Sequence, residues 1–517
     1  MGADVCPLRV ACRNLLLAAG VAVSIAMVGA PLQAAPALVD PALGVRTAAS
    51  GLAFPTGIAV LASNDWLVIE KNTGRVQRVR NGVVSATVLD LAVNNANDRG
   101  LLGIALHPQF ATNHWVYLFW SCRVAPPPSS NPYSPTARTC DTTPALGADT
   151  GNVLSVPLLG NRVDRFIWNG SSLVFDRNII TLRAFQYDAA PTPPNQGDAS
   201  QAVLGIHIGG VLRFGRDDGK LYVQVGDLGR RGQLQNLPSG PTATGLGTMV
   251  PDDQFGGPAP DDAHFSGVVL RLNADGTAPT DNPFYSVGAQ RGGEVGRNLQ
   301  KIFAYGVRNG FGLAVDPYSG NLWDSQNGED SFDELNLLSR GSNLGWPQIM
   351  GPSSRYAQYR QIESTTSSQQ LRWPLTRLAS SLSGAQARLF VLPGSHYSDP
   401  EFSWKYPLAP TAIGFLRSTA LGTRYQGDLF VGFSGGPPLG GPLFDFNLSS
   451  DRAAIAPSAT YLSDQVMDNT SRDNMTEGQP LLFGTGFGVV TDIRTAPNGN
   501  LLVVSLTDGR IYEIYRR

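Results

Sequence analysis

Short apolar stretches separated by turns that contain Gly, Asn and Asp recur along most of this chain. The clearest copy places apolar residues at 212–214 and 221–223, on either side of the turn Asp217-Asp218-Gly219. Asp-Gly and Asn-Gly between alternating apolar runs are strong signals for a β-hairpin. Further copies, the last two of them weaker, lie at 313–323, 493–503, 58–68 and 104–119. Imperfect repetition of this kind, with almost no helical periodicity, predicts an all-β propeller or another radial array of sheets.

The composition agrees with a large β-rich protein. Gly and Pro contribute 58 and 37 of the 517 residues, and only 15% of the residues are charged. Such a composition is not typical of disordered chains, coiled coils or helical bundles. The formal net charge of −2 gives no electrostatic support for binding to nucleic acid, which requires a basic surface. We therefore expect no nucleic-acid partner.

The first 34 residues have the order of an export signal. Arg9 and Arg13 precede an apolar stretch at 15–27, and small residues follow up to Ala34. The alternative is an uncleaved anchor helix, although the apolar stretch is short for a membrane span of ~20 residues. We expect residues 1–34 to be a signal peptide and 41–517 to be a single domain. No membrane span is then expected after signal removal, and the predicted location is the bacterial periplasm or the medium.

Cysteine usage agrees with an oxidising compartment. Cys6 and Cys12 lie within the predicted signal, which leaves Cys122 and Cys140 on either side of a loop rich in Pro and Ser. Two cysteines in this setting predict one disulfide that closes the loop. A catalytic thiol is the alternative, but neither residue has a C-x-x-C partner or a nearby His.

Several polar residues flanked by glycines are candidates for chemistry. His207 stands in Gly205-Ile206-His207-Ile208-Gly209 just before a predicted strand, so its imidazole is either a base in a central cavity or a buried structural histidine. The pair Arg308-Asn309, between Gly306 and Gly310, has the same two interpretations. The acidic residues of 324–334 suit calcium, which prefers hard oxygen ligands, or they form a solvated acidic loop.

Five separated blocks carry a family resemblance. They include Arg99-Gly100-Leu101-Leu102-Gly103, the His207 block with Val225-Gly226-Asp227, Asp281-Asn282-Pro283, the Arg308-Asn309 block, and Asp333-Glu334-Leu335-Asn336 with Gly345-Trp346-Pro347. Together and in this order they resemble the soluble glucose/sorbosone dehydrogenases, which depend on pyrroloquinoline quinone (PQQ). The resemblance covers residues from about 45 to 515 and implies a six-bladed β-propeller with its site at the mouth of the central channel.

The resemblance also implies roles for individual residues. His207 matches the family's general base, which takes the proton of the anomeric hydroxyl of a sugar. Arg308 and Asn309 match a pair that contacts the quinone oxygens. Gly328 and Glu329 hold the places of the family's calcium ligands, which act partly through main-chain carbonyls. Asp98 falls where relatives place a polar group towards the substrate.

This chain departs from the family pattern at several positions. Ile206 replaces the Asn or Asp that precedes the base, and Leu228 replaces a glutamine. Relatives meet the three carboxylates of PQQ with Lys and Arg from the last two blades, but the matching stretches 432–446 and 487–493 contain neither. Arg230 and Arg231 are the candidates to replace them.

The sequence therefore favours an exported dehydrogenase that oxidises an aldose-type sugar with PQQ and calcium. One alternative is a propeller without cofactor that binds carbohydrate or protein. Another is a calcium-dependent hydrolase such as a lactonase, because six-bladed propellers carry that chemistry too. The expected partner is a small-molecule sugar, and the sequence does not identify the electron acceptor.

Overall fold

The structure is a computed structural model, and it describes residues 35–95, 97–123, 160–183, 206–228, 265–365, 378–389, 391–434, 440–470 and 474–517. The strands of these segments are numbered in chain order. Up to residue 183 they are β1 (Ala37–Leu38), β2 (Leu43–Ala49), β3 (Pro55–Ala62), β4 (Asp65–Glu70), β5 (Arg75–Arg80), β6 (Val83–Asp90), β7 (Leu101–Leu106), β8 (Trp115–Ser121), β9 (Gly160–Trp168) and β10 (Leu173–Arg183).

The middle of the chain contributes eight further strands. They are β11 (Gly209–Phe214), β12 (Leu221–Val225), β13 (Val268–Leu272), β14 (Ile302–Tyr305), β15 (Gly310–Val315), β16 (Leu322–Gln326), β17 (Asp333–Leu338) and β18 (Ser342–Asn343). The C-terminal part adds β19 (His396–Tyr397), β20 (Phe402–Trp404), β21 (Pro410–Phe415), β22 (Leu429–Phe433), β23 (Leu443–Phe446), β24 (Val466–Met467), β25 (Leu482–Thr485), β26 (Val490–Thr495), β27 (Leu501–Ser505) and β28 (Arg510–Arg516).

Helices are few and short in the described segments. They are α1 (Phe110–Asn113), α2 (Tyr285–Arg291), α3 (Gly293–Leu299), α4 (Tyr356–Thr365) and α5 (Leu382–Gln386). Single 3₁₀ turns occur at Ser353–Arg355, Thr423–Tyr425 and Thr460–Leu462, and a longer one at Thr476–Leu481. None of the helices in these segments is long and apolar enough to cross a membrane.

The strands form six sheets, each built around a four-stranded antiparallel meander. In order from the first strand outwards, the meanders are β3-β4-β5-β6, β7-β8-β9-β10, β11-β12-β13-β14, β15-β16-β17-β20, β21-β22-β23-β25 and β26-β27-β28-β2. This is a β-propeller arrangement, in which each sheet packs face to face on the next. The prediction of an all-β propeller is confirmed.

The hairpins predicted from the turn signals are the first two strands of these sheets. In the clearest copy, Phe214 pairs with Leu221 across a turn that ends at Gly219, whose φ is +60°. This left-handed conformation is open to glycine at no steric cost, which explains the Asp-Gly signal. The copies at 313–323 and 493–503 are confirmed in the same way by β15-β16 and β26-β27.

The two ends of the described chain meet in one sheet. β2 pairs with β28, so that Val45 lies opposite Ile514 and the outermost strand of this sheet comes from the N-terminal side. Both strands bury apolar residues against the neighbouring sheet. β2 therefore completes a four-stranded sheet whose other three strands come from the C-terminal end of the chain.

The six first strands surround a central channel with two distinct openings. Each strand contacts the next in the series β3, β7, β11, β15, β21 and β26, and β26 contacts β3. We call the opening at their N-terminal ends the upper mouth and the opening at their C-terminal ends the lower mouth. The residues just before β7, β11 and β15 therefore lie at the upper mouth.

Candidate active site

His207 lies directly before β11 at the upper mouth. Its backbone φ is +57°, and its N–H donates to Asp98 Oδ2 at 2.7 Å. The residue is 7% exposed, and its Nδ1 lies 2.7 Å from Asp227 Oδ1. An ionised carboxylate only accepts hydrogen bonds, so in the neutral form of the imidazole Nδ1 carries the proton and Nε2 presents its lone pair. This is the tautomer that a general base needs.

Asp227 is held in place by two further contacts. Its second oxygen accepts a hydrogen bond from Trp346 Nε1 at 2.8 Å, and its backbone N–H donates to the carbonyl of Arg308 at 2.7 Å. The residue is only 1% exposed. The result is a fixed Trp346–Asp227–His207 chain whose backbone is joined to the neighbouring sheet.

Gly226 explains how the base and the arginine come together. A Cβ at this position would lie 2.1 Å from the carbonyl oxygen of His207 and 2.9 Å from that of Arg308. Both distances are far below van der Waals contact, so only glycine lets the three backbones approach. At the Gly226-Asp227 pair noted in the sequence, the backbones that precede β11 and β15 therefore come into contact at the upper mouth.

Arg308 is buried just before β15, with 5% of its surface exposed. Its Nε donates to Glu329 Oε2 at 3.1 Å, its Nη1 donates to the carbonyl of Asn327 at 2.6 Å, and the guanidinium lies over the Trp346 ring at 5.3 Å. Burial favours loss of the proton, but the carboxylates of Glu329 and Asp227 outweigh it and raise the pKa of Arg308. The guanidinium is therefore a permanent and rigidly held charge.

Asn309 has an amide oxygen that no described residue satisfies. Asn309 is 6% exposed, and its Oδ1 is buried without a hydrogen-bond partner among the described residues. Asn327 Oδ1, just after β16, is also buried without a hydrogen-bond partner among the described residues. Leaving such a buried acceptor unpaired costs ~1–3 kcal/mol, so these two atoms favour the binding of a polar group next to Arg308.

The loop that holds Gly328 and Glu329 is fixed from two sides. Gly328 N–H donates to Asp333 Oδ1 at 2.8 Å, whereas Asp330 N–H donates to Glu363 Oε1 of α4 at 3.1 Å. Within the described part of the chain, no group of three or more His, Cys, Asp or Glu residues could hold a metal ion. A calcium site here would therefore depend on main-chain carbonyls, as the family resemblance implies.

The segment 353–370 is rich in Ser and Gln, and it contributes the Glu363 side chain to the loop at 328–331. Its first part forms α4, where Tyr356, Tyr359 and Glu363 are buried. The helix contacts the loop at 328–331 through Glu363, which accepts hydrogen bonds from Asp330 and Ser331.

Of the five acidic residues of 324–334, two are half-buried in a loop and three are buried on strands. Asp324, Asp333 and Glu334 are all buried to 1% exposure or less. Burial raises the pKa of Asp324 to about 7 and the pKa of Glu334 to about 8. Asp324 Oδ2 accepts from the side-chain amides of Gln224 and Gln326, and the latter also accepts from the Arg308 N–H. The cluster thus supports the strand ends behind the site.

Glu334 predicts a pH-dependent stability. Its pKa rises from 4.5 when exposed to about 8 in the fold because of burial. The stability that this raised pKa contributes is fully present below pH 4.5 and is lost as the pH rises through 8. The free energy of unfolding falls by ~1.4 kcal/mol for each pH unit between these two values. Between pH 5 and pH 9, ionisation of Glu334 should lower the free energy of unfolding of the unmodified protein by on the order of a few kcal/mol. We expect the Glu334→Gln variant to lack this decrease. Denaturant unfolding at both pH values measures this.

The exposed Glu294 at the start of α3 provides the matched control, Glu294→Gln. This variant should lose as much stability at high pH as the unmodified protein. If the curves of the Glu334→Gln variant and the unmodified protein run parallel from pH 5 to pH 9, Glu334 does not titrate as described.

Three neighbours of the site, Trp346, Lys71 and Gln326, have roles that sequence reasoning missed. Lys71, in the turn after β4, donates from Nζ to the carbonyl of Asn97 at 2.8 Å. Burial lowers its pKa to about 8, while the nearby Asp98 opposes this effect. The role of Gln326, which accepts a hydrogen bond from the backbone N–H of Arg308, becomes visible only from the pairing of the strands.

Some predicted residues cannot be placed. Arg230, Arg231 and Cys140 lie outside the described residues, as does the predicted signal at 1–34. Cys122 is buried, with 1% exposure, at the end of the second sheet's inner hairpin. The Cys122–Cys140 disulfide and the roles of Arg230 and Arg231 stay predictions.

Comparison with known proteins gives a family match over more than half of the chain. Residues 52–131 and 197–391 match the model of the family "Glucose / Sorbosone dehydrogenase". These ranges include Asp98, His207 and Arg308.

Relatives with names of known activity are similar over a comparable range. Quinoprotein glucose dehydrogenase B of Acinetobacter calcoaceticus is 28% identical over 299 residues, which is 55% of this chain and 48% of that protein. Aldose sugar dehydrogenase YliI of Escherichia coli is 25% identical over 301 residues, or 58% of this chain and 57% of that protein. The chain thus spans about half of the length of these two relatives.

A solved structure supports the fold. The PQQ-bound aldose sugar dehydrogenase of Streptomyces coelicolor superposes with a TM-score of 0.53 at 20% identity, covering 93% of this chain and 99% of the other. At this identity the likeness concerns the architecture alone.

Proposed function

Because this chain belongs to the glucose/sorbosone dehydrogenase family, we propose that it oxidises an aldose-type sugar, with PQQ as the electron acceptor in the site and calcium as its metal. The observation that carries the proposal is the fixed His207–Asp227 pair, whose Nδ1–Oδ1 distance is 2.7 Å, beside the buried Arg308. A base with a free Nε2 and a permanent cation at the same mouth are the two groups that oxidation of a hydroxyl requires.

The residues at the upper mouth fit one side of the quinone. Arg308 offers a cation to a carbonyl oxygen of the quinone, whereas the buried Asn309 Oδ1, which lacks a partner among the described residues, can accept a hydrogen bond from an N–H or O–H group of the ligand. The main-chain carbonyls of Gly328 and Glu329 are the proposed ligands of calcium, since Asp333 and Glu363 hold their loop in a fixed shape.

The chain's own residues account for the proton and the charge. When bound, PQQ supplies the acceptor for the hydride that leaves the anomeric carbon of the sugar. His207 Nε2 takes the proton of the anomeric hydroxyl, and the carbon–oxygen bond becomes the carbonyl of a lactone. Asp227 stabilises the imidazolium that forms, and Trp346 keeps the Asp227 carboxylate in line. Arg308 stabilises negative charge on the oxygen beside it, and Asp98 lies next to the base for a sugar hydroxyl.

We further propose that the six sheets are the six blades of a closed ring formed by residues 41–517. The closed series of contacts between the first strands and the pairing of β2 with β28 support it. Residues 1–34 then act as a signal peptide, and the mature protein works in the periplasm or the medium.

A redox-dye assay tests the proposed activity. Reduction of the dye by an aldose should require added PQQ and calcium together, and should stop when calcium is removed by a chelator. Hydrolysis of a lactone without dye reduction would instead support the lactonase alternative. No reaction in either assay would support a propeller that only binds carbohydrate or protein.

The affinity for PQQ is expected to be low. The stretches 432–446 and 487–493 contain no Lys or Arg. A buried charge without a partner costs several kcal/mol, and each ~1.4 kcal/mol is tenfold in affinity. We expect the apo-protein in millimolar calcium to bind PQQ with a Kd on the order of micromolar rather than nanomolar.

Calorimetric titration with and without calcium measures this affinity, and Arg230→Gln/Arg231→Gln should weaken it further if these residues meet the carboxylates. Nanomolar binding would show that other groups meet the carboxylates, and the half-buried Lys71 would be the first to examine.

A further inference from the structure

The lower mouth of the channel opens into a cavity that the proposed reaction does not use. It has a volume of about 480 Å³ and is lined by the C-terminal halves of the six first strands. His207 and Arg213 lie at opposite ends of β11, and six residues of extended chain span ~20 Å. The cavity is therefore well separated from the base and from Arg308.

The charges around this cavity are of one sign. Its lining includes Arg213, Arg216, Arg417 and Arg494, and no acidic side chain of the described segments belongs to the lining. The remaining lining residues are mostly apolar, for example Ile104, Ile413 and Phe415. Cations that gather in an apolar channel without matching anions are costly, because the low dielectric strengthens their repulsion.

Asp492, behind the wall, only partly balances these cations. Its Oδ1 accepts from Arg213 Nη2 at 3.0 Å and its Oδ2 accepts from Arg494 Nε at 3.1 Å. Oδ2 also accepts the backbone N–H of Ile58 at 3.1 Å, so both carboxylate oxygens are occupied. Two guanidinium groups thus share one carboxylate that is 4% exposed.

The electrostatics of Arg213 reflect this excess. Burial, together with the neighbouring charge of Arg494, lowers the pKa of Arg213 to about 9 despite the contact with Asp492. At the rim, Arg216 and Arg417 are exposed. Arg216 pairs with Asp217, whereas Arg417 has no ion pair with an acidic residue of the described segments.

We propose that the lower mouth is a binding site for a small oxyanion, a carboxylate or a phosphate, held between Arg213 and Arg494. The planar guanidinium groups offer paired N–H donors, which match the geometry of both oxyanions. Arg417 at the rim contributes long-range attraction. The volume leaves room for an organic body beyond the anionic group, and the apolar lining gives that body a surface to contact.

The test uses thermal unfolding of the full chain in inorganic phosphate, in gluconate and in chloride at equal ionic strength. At ten times the Kd a ligand stabilises by RT ln 11, so for a chain of this length we expect a rise in Tm of about 1–2 °C with at least one oxyanion and none with chloride. The two oxyanions distinguish a phosphate from a hydroxycarboxylate ligand. Equal rises in all three salts would overturn the proposal, because they would reflect screening alone.

Arg494→Gln is the decisive variant. It keeps the Arg213–Asp492 pair and removes the excess charge, so it should fold and be at least as stable as the unmodified protein without oxyanion. We expect it to lose the Tm rise, while the control Arg80→Gln, on the exposed side of β5, keeps it. An Arg494→Gln protein that is destabilised without oxyanion and still responds to it would show that the arginines are structural only.

Discussion

Replacement of His207 by Asn should lower kcat for sugar oxidation by ~10²–10⁴-fold, the usual contribution of a general base. Asn is the appropriate variant because the backbone φ of +57° is in the left-handed region, which Asn tolerates and Ala does not. Its amide also offers a donor to Asp227. We therefore expect the Tm to change little, so that the loss of rate reports on the missing base.

Asp227→Asn tests the same assignment through the tautomer. The amide introduced at position 227 would donate to Nδ1 and force the proton onto Nε2, which could then no longer accept the proton of the sugar. A decrease in kcat of similar size is expected. His396→Ala is the matched control, since this histidine is exposed and contacts only Ser339 through its side chain among the described residues. Full activity in His207→Asn would return His207 to a structural role.

The three hairpins with the clearest signal in the sequence share a short turn, and the one that the sequence analysis missed does not. β11-β12, β15-β16 and β26-β27 are joined by turns that contain Gly219, Gly320 and Gly499, all with positive φ. β21 and β22 are separated by residues 416–428 and a 3₁₀ turn, so no local signal marks their pairing. A turn is encoded locally, whereas this pairing is set by packing against the sheets on either side.

The residues of the candidate site also divide into those with a local sequence signal and those placed by packing between sheets. His207, Arg308 and Asn309 stand out because glycines flank them, and Gly226 shows the reason for such glycines: backbones must approach closely there. Trp346, Lys71 and Gln326 come from turns and strands far away in sequence. No spacing rule connects them with His207 or Arg308, since their positions follow from how neighbouring sheets pack.

Buried carboxylates were the least predictable feature. A run of acidic residues is usually solvated, because burial of a charge is costly. Here Asp324 and Glu334 point inwards on adjacent strands and are met by amide groups and a backbone N–H. The alternation of side chains along a strand assigns these residues to one face of the sheet. Whether that face is buried depends on the sheets that pack against it.

Arg308→Ala should have two separable effects. Loss of the cation beside the reacting oxygen is expected to lower kcat by ~10²–10³-fold. In addition, Glu329, with 10% of its side chain exposed, would lose its ion pair with Arg308. Removal of one member of a buried ion pair costs ~3–5 kcal/mol, so the single variant should also be clearly destabilised in denaturant unfolding.

The double variant Arg308→Ala/Glu329→Gln distinguishes the two effects. With both charges of the ion pair removed, no carboxylate at position 329 has lost its countercharge, and most of the lost stability should return. Activity should not return, because the proposed function assigns the charge on Arg308 to the reaction itself. Glu329→Gln alone should retain more activity than either variant without Arg308, since the guanidinium keeps its contact with the carbonyl of Asn327. If the double variant regains activity together with stability, Arg308 acts only by holding the loop at 327–332, and the charge has no part in catalysis.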